Sequence, residues 1–283
     1  MTDLIVVGDA LVDVASSAPA LREGGDVRGS VHVRAGGQGA NVAVWAASQG
    51  LDTRLISRVG DDDPGRMLRE RLESRGVGAD LAVDSEATTG VLLVSVAGDV
   101  RSMIADRGAA AQIAPDDLPE PLEARAVLVS GYLLFDESSE PAALAALERA
   151  SCEHLAVEAS TWPLLEEYGP DRFLEATAPA TILFANEREA EVLAGGDDAS
   201  RKLAERYEIV CVKRGADGAA VASGEVVLQT PARETAVVDP TGAGDAFDAA
   251  FLATLLRGKA LGRALDHAVT TGSWVVGRED SWP

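Results

Sequence analysis

Aromatic, sulfur-containing and basic residues are all scarce in this chain of 283 residues. Phe, Trp and Tyr together make up 4% of it, and there are two cysteines. Cys152 and Cys211 are too few for a disulfide framework, and the apolar run around Cys211 predicts a buried position. The first residues lack the basic segment and apolar stretch of a signal peptide, and no apolar run reaches the length of a membrane span. We therefore expect a soluble, cytoplasmic protein.

The shortage of positive charge narrows the range of partners. Lys and Arg number 25 against 46 Asp and Glu, which gives a formal net charge of −21. Nucleic acids and anionic membranes both attract basic rather than acidic surfaces, so neither is an expected partner. A phosphorylated ligand would need a local cradle to hold it against this overall field.

Short apolar runs alternate with helical stretches along most of the chain. This alternation predicts a mostly parallel sheet covered by helices. Two stretches, about residues 27–35 and 88–105, break the pattern and predict a small β layer, with a hairpin turning at Gly98 and Asp99. No repeat or linker marks a second unit, so we expect a single domain over residues 1–283.

The sequence VDPTGAGDAF at residues 238–247 carries the strongest chemical signal. Gly242 and Gly244 allow backbone N–H groups to approach an anion closely, and the positive end of the following helix dipole adds to the attraction. Asp245 then stands beside that cradle, where it could accept a proton from a hydroxyl group. A plain Gly-rich turn with an acidic helix start is the alternative.

A second Gly-rich sequence, AGGQGANVA at residues 35–43, also leads into a predicted helix. The side-chain amide of Asn41 in this sequence offers two hydrogen-bond donors and an acceptor to hydroxyl groups. The spacing fits a dinucleotide fingerprint poorly, because the third glycine is missing. A tight turn in which Asn41 satisfies nearby backbone groups is the alternative.

The two motifs together, about 200 residues apart and in this order, resemble those of the ribokinase-like (PfkB) family of carbohydrate and nucleoside kinases. The resemblance covers nearly the whole chain. It implies a three-layer α/β/α fold with a central, mostly parallel sheet and a small β lid. It also implies ATP-dependent transfer of a phosphoryl group to a hydroxyl of a sugar or sugar-like molecule.

The resemblance also implies roles for individual residues. Asp245 would be the general base, with the anion hole formed by Gly242, Ala243 and Gly244. The implied substrate contacts are Asp13, Gly37, Gln38, Asn41, Arg107 and Tyr132. We expect Asp13 to end the first buried strand. Arg107 could hold a phosphate or acidic group, and a solvated lid arginine is an equal alternative.

Departures from ribokinases proper bear on the substrate. Leu11, Gln38 and Tyr132 stand where those enzymes carry Asn, Lys and Glu, which argues against ribose as the preferred substrate. These changes leave room for an apolar or aromatic portion, as in a nucleoside. A nucleoside kinase is therefore the first alternative, and a sugar or nucleotide sensor that has lost the reaction is the second.

The nucleotide and metal contacts implied by the resemblance come from three short segments. Asn186, Lys213 and Gly215 would contact ATP, with an ordinary solvated lysine as the alternative for Lys213. Glu189 would act on Mg²⁺ through water, although Asn186 and Glu189 also fit a helix capping box.

Two further expectations concern a monovalent cation and a partner chain. Asp239 and Thr241 match the family's monovalent-cation loop, but Asp280 stands where the family usually has Gly, so K⁺ activation is left open. Some members of the family pair through the lid, so the resemblance also allows a homodimer of this chain formed in the same way.

Overall fold

The computed structural model describes residues 1–283 except 19, 21–22, 98–99, 197 and 279. Its strands are β1 Leu4–Val7, β2 Leu11–Ala18, β3 Ser30–Gly36, β4 Thr53–Gly60, β5 Val77–Asp84, β6 Thr89–Ala97, β7 Val100–Gly108, β8 Leu122–Glu123, β9 Ala126–Ser130, β10 Ala150–Ser151, β11 His154–Glu158, β12 Ile182–Asn186, β13 Ile209–Lys213, β14 Ala219–Ser223 and β15 Val226–Thr230. Its α-helices are α1 Gln38–Ser48, α2 Asp63–Ser74, α3 Glu140–Arg149, α4 Trp162–Tyr168, α5 Pro170–Ala176, α6 Glu187–Ala194, α7 Ala199–Leu203, α8 Ala243–Leu256 and α9 Leu261–Val276.

The main sheet contains nine strands in the order β15-β14-β13-β12-β11-β9-β1-β4-β5. The seven from β13 to β5 pair in parallel, and β14 and β15 add an antiparallel edge. Both faces of β1 are buried: Leu4 and Val6 pack into one core, whereas Ile5 and Val7 pack into a second core on the other face. The prediction of a mostly parallel sheet between two helical layers is therefore confirmed.

The helical layer on the Leu4 side includes α1, α8 and α9, and small residues let these helices lie close together. Most of α8 is buried, and its Ala-rich sequence packs against both neighbours. Where α1 begins, a Cβ on Gly39 would come within 2.7 Å of the carbonyl carbon of Gly8. Glycine at position 39 therefore allows the start of α1 to lie directly against the end of β1.

The predicted small β layer is a separate four-stranded sheet in the order β3-β2-β6-β7, called the lid sheet below. Its strand β2 was not predicted. The expectation that Asp13 ends the first buried strand is wrong: β1 ends at Val7, and Asp13 lies in β2, opposite Arg34 of β3. The turn predicted at Gly98 and Asp99 lies outside the described residues, although β6 and β7 on either side pair antiparallel.

Both cysteines are free thiols, and Cys211 is buried as predicted. Within the described ranges, no helix combines the length and the apolar character that crossing a bilayer requires.

Candidate active site

Polar side chains gather at the carboxyl ends of the central parallel strands. Asp9 follows β1, Ser130 ends β9, Glu158 ends β11, and Lys213 ends β13. Ser130 and Glu158 are paired in register, so they lie side by side at this edge of the sheet. Ligands of open α/β sheets bind at such an edge, because the loops that follow the strands leave a crevice there.

Asp245 lies in the first turn of α8, next to this edge. Gly242 precedes the helix with a φ of 79°, a left-handed conformation that glycine adopts without strain. The Asn41 side chain, from the buried helix α1, donates a hydrogen bond from Nδ2 to Asp245 Oδ2 at 2.7 Å. Burial and the nearby Glu158 carboxylate raise the pKa of Asp245 to about 7, even though the Asn41 bond and Lys213 act in the opposite direction.

Lys213 forms a buried ion-pair cluster next to the start of α8. Its Nζ lies 3.2 Å from Glu158 Oε1 and 3.1 Å from both carboxylate oxygens of Asp248, one turn after Asp245. Burial disfavours the ammonium charge, but Asp248 and Glu158 outweigh it and raise the pKa of Lys213. A Cβ on Gly244 would lie 3.5 Å from this Nζ, so the ammonium sits directly beside the Gly-rich turn. The lysine is therefore held beside the start of α8, and the alternative of an ordinary solvated side chain does not fit.

Asn186 and Glu189 form the predicted capping box at the start of α6. Asn186 N donates to Glu189 Oε2 at 2.7 Å, and Glu189 N donates to Asn186 Oδ1 at 2.9 Å. Burial and Glu158 raise the pKa of Glu189 to about 7. Across the described part of the chain, no three His, Cys, Asp or Glu side chains form a ready metal cluster.

The part of this edge formed by β2, the end of β9 and the start of α1 is called the acceptor side below, because the family resemblance implies substrate contacts there. It contains buried polar atoms without partners among the described residues. They are Asp13 Oδ1, Ser130 Oγ, and both amide atoms of Gln38. Gln38 and Ser130 flank Gly8 at the end of β1, since a Cβ there would lie 3.5 Å from Gln38 Oε1 and 3.0 Å from Ser130 Cβ. Burial raises the pKa of Asp13 to about 6. Such unpaired groups can pair with substrate hydroxyls.

Arg107 is held by residues of the protein itself. Its guanidinium donates to both oxygens of Asp9, at 2.8 and 3.0 Å, and more weakly to Asp136 and Ser139. These bonds favour a role in joining the lid sheet to Asp9 over one in binding an anionic substrate.

Tyr132 and Gly37 also lie at the edges of the acceptor side. Burial and several carboxylates, Glu158 foremost, raise the pKa of the Tyr132 phenol, so it stays a neutral donor. Gly37 has a φ of 92°, and its backbone packs against the backbone of Asp9. Glycine at this position therefore allows the two backbone segments to lie close together.

A cleft of about 500 Å³ opens on the other side of the Gly-rich turn. Gly215 and Lys213 line it, together with Gly244 at the start of α8 and the apolar side chains of Val237 and Phe247. The loop before α8 is closed by Asp239 Oδ1, which accepts hydrogen bonds from Thr241 N and Oγ1 at 2.9 and 2.6 Å. K⁺ binding at these two residues stays a prediction.

Sequence reasoning missed three charged residues of the site. Asp9 lies two residues after β1 and Glu158 ends β11, and an acid at the end of an apolar run was a usable signal. Asp248 had no such signal, because an acid within a helix is ordinarily exposed.

Comparison with known proteins agrees with this geometry. The family described as pfkB family carbohydrate kinase matches residues 1–281. An ATP-dependent ribose-1-phosphate kinase from Halopiger xanaduensis is 34% identical over 249 residues, which cover 86% of this chain and 81% of the relative. An aminoimidazole riboside kinase from Salmonella typhimurium is 29% identical over 98% of this chain and 89% of its own length.

Solved structures show the same fold. An adenosine kinase from Sinorhizobium meliloti superimposes with a TM-score of 0.89 at 23% identity, covering all of this chain and 96% of that one. An aminoimidazole riboside kinase from Salmonella enterica, complexed with aminoimidazole riboside and an ATP analog, superimposes with a TM-score of 0.81 at 27% identity, covering 99% of this chain and 95% of that one. With its two Gly-rich motifs meeting at one edge of a ribokinase-like fold, the chain belongs to the PfkB family of carbohydrate kinases, which phosphorylate sugar-like substrates with ATP.

Proposed function

We propose that this kinase transfers the γ-phosphoryl group of ATP to a hydroxyl of an uncharged sugar or nucleoside, with Asp245 as the general base. The observation that carries the proposal is the position of Asp245 in the first turn of α8, where it accepts a hydrogen bond from Asn41 and lies near Asp13, which has an unpaired oxygen atom. Its pKa of about 7 suits a group that accepts a proton near neutral pH.

The residues on either side of Asp245 have complementary tasks in this proposal. The acceptor hydroxyl gives its proton to Asp245 as its oxygen bonds to phosphorus. The first N–H groups of α8 have no partner within the helix, so they can stabilise the charge on the transferring group. Lys213, held beside Gly244, adds positive charge at the same place. The cleft lined by Gly215, Val237 and Phe247 would take the nucleoside part of ATP.

The residues at this edge also fit a Mg²⁺ ion that arrives with the nucleotide. Glu189 is buried beside Glu158, whose Oε2 has no partner within the described part of the chain. A carboxylate oxygen without a partner, next to a second carboxylate, can hold a hydrated cation through its water ligands. Bound there, Mg²⁺ would supply neutralisation of the phosphate charge.

The proposal of an uncharged acceptor rests on the charges around the acceptor side. Arg34 of β3 lies opposite Asp13 of β2. The Arg107 guanidinium is already bound by Asp9, as described above. A phosphate or carboxylate on the acceptor would have to displace one of these carboxylates, at a cost in binding.

We expect uncharged acceptors to be the substrates. Pentoses, hexoses and nucleosides, each paired with its monophosphate, are incubated with the enzyme, ATP and Mg²⁺ in a coupled assay of ADP release. At least one uncharged member should give sugar-dependent ADP release, and its phosphorylated counterpart should have a kcat/KM at least tenfold lower. Preference for the phosphorylated member of the pair would contradict the charge argument, and turnover with none would favour a sensor.

Asp245→Asn should abolish most of the turnover and leave binding intact. The amide keeps the shape but cannot accept the proton, and loss of a general base typically lowers the rate by about 10² to 10⁴. We expect this loss in kcat with little change in the dissociation constants of ATP and acceptor measured by calorimetry. Asp63→Asn, the same change in the exposed first turn of α2, is the matched control. Wild-type turnover in Asp245→Asn would show that another group takes the proton.

Glu189→Gln should raise the Mg²⁺ concentration needed for half-maximal activity, roughly 10-fold or more. The glutamine oxygen can still accept from Asn186 N and keep the capping box, although the bond that Glu189 Oε1 accepts from Asn186 Nδ2 is lost, so the melting temperature should fall only slightly. Glu187→Gln, in the same helical turn but exposed, is the control. If Glu189→Gln lowers the melting temperature and leaves the Mg²⁺ dependence unchanged, the residue only caps the helix.

The whole chain, in our proposal, acts as one kinase domain in the cytoplasm, where ATP is available, and pairs with a second copy through the lid sheet. Val33, Val14, Leu93 and Ile104 lie in register across its four strands and form one apolar row. Val33 and Ile104 are 61% and 67% exposed, and an exposed row of this kind is typical of a protein interface.

Light scattering should therefore give about twice the mass of 29.3 kDa for the wild-type protein. Val33→Glu and Ile104→Glu should each reduce it to the monomer mass, because a charge would be buried in the interface. Val226→Glu, on the outer edge strand β15, should remain dimeric. A monomeric wild-type protein at assay concentrations would contradict the proposed dimer.

A further inference from the structure

A side chain from the segment after α9 reaches the proposed base through one intermediate residue. Trp282 is only 8% exposed, and its indole Nε1 donates a hydrogen bond to Asn41 Oδ1 at 2.8 Å. The other end of the same amide, Asn41 Nδ2, donates to Asp245 Oδ2 at 2.7 Å. The three side chains therefore form a continuous chain of hydrogen bonds that ends on the carboxylate.

The segment that carries Trp282 is held on several sides. Trp45 of α1 donates from its indole Nε1 to the Ser281 carbonyl oxygen at 2.7 Å. Ser281 also packs on the turn before α8, since a Cβ on Gly242 would lie 3.0 Å from the Cβ of Ser281. Arg75 lies over the Trp282 ring and donates to the carbonyl oxygen of Pro283. The indole nitrogen is thus presented to Asn41 in a fixed position.

The chemistry of the three groups determines what this arrangement does. An indole N–H can only donate, so the Asn41 oxygen must face Trp282 and the Asn41 nitrogen must face Asp245. A donor that faces a carboxylate favours its ionised form, whereas an amide oxygen in that place would favour the protonated form. Without the indole N–H, both orientations of the Asn41 amide become available.

We propose that Trp282 is a positioning residue that, through the Asn41 amide, keeps Asp245 in the ionised form that can accept the proton. The inference rests on the proposed role of Asp245 as general base. It adds that the orientation of one amide, set by Trp282, decides how much of that base is ready to react at a given pH.

Several other groups face Asp245, and all of them are retained when Trp282 is replaced. They are Asp13 from β2, Tyr132 after β9, Glu158 from β11, Lys213 from β13 and Asp248 from the next turn of α8. Because these groups stay, a change in the titration of Asp245 on replacing Trp282 would report on the amide. The pKa of about 7 also places that titration within a range that kinetics can measure.

The test is the pH dependence of kcat for Trp282→Phe, with the best acceptor from the screen. Phenylalanine keeps an aromatic ring but has no N–H to donate. In a plot of kcat against pH, the acidic limb is the range in which kcat falls as the pH is lowered. We expect this limb to shift to higher pH by about one unit, which corresponds to about a tenfold lower kcat at a given pH within it. At high pH, where Asp245 is ionised in both proteins, kcat should approach that of the wild type, and the KM for ATP should not change.

Trp274→Phe is the matched control. Trp274 lies half exposed on α9 and packs edge-on against Trp45, so the same substitution there should leave the acidic limb unchanged. If Trp282→Phe does not fold, Trp45→Phe is the second variant, because freeing the Ser281 carbonyl should move the limb in the same direction.

The outcomes separate this inference from the proposed function. An unmoved limb in a folded Trp282→Phe, or in Trp45→Phe if that variant is needed, overturns the role of Trp282 alone. An equal shift in Trp274→Phe also overturns it, because the effect would not depend on the bond to Asn41. If the residual kcat of Asp245→Asn still falls at low pH with the midpoint of the wild type, the titrating group is not Asp245. In that case both the role of Asp245 as general base and the role of Trp282 are overturned.

Discussion

The crowding of carboxylates at one edge of the sheet is the constraint around which the site is built. Asp13, Glu158, Glu189 and Asp245 approach one another there, and the cations that face them are already paired. Burial, with a smaller contribution from neighbouring carboxylates, raises the pKa values of Asp13, Glu189 and Asp245 to between about 6 and 7. In the unfolded chain these groups lose their protons near pH 4, so ionising them above that pH works against folding. The helices and strands that hold them must offset this cost.

The packing of α1, α8 and α9 supplies part of that stabilisation and also sets the geometry. The nearly complete burial of α8 fixes the place where its first turn meets the carboxyl ends of the strands. Gly39 brings α1 against the end of β1, and this contact puts Asn41 within hydrogen-bonding distance of Asp245. Two distant Gly-rich motifs thus share one site because each opens a helix of the same layer.

Much of this arrangement was predictable from local patterns. The apolar run AVLVS is typical of a buried strand and forms β9, and the apolar spacing over Leu261–Val276 is typical of a helix and forms α9. The motif around Asp245 carried its own structural signal, since glycines followed by an Ala-rich stretch indicate a turn that opens a helix. Strand β2 escaped prediction because residues 11–18 mix apolar and small polar residues, and only pairing with β3 and β6 makes them a strand.

The sequence by itself determined the alternation of strands and helices, the two Gly-rich turns and the identity of the proposed base, because each depends on neighbouring residues along the chain. Only the tertiary structure decided the partners of the buried groups. The pairing of Arg107 with Asp9, of Lys213 with Asp248, and of Asn41 with Trp282 joins residues that are 98, 35 and 241 positions apart. Such contacts leave no local pattern, since a hydrogen bond between distant residues depends on where the backbone brings them and not on their spacing.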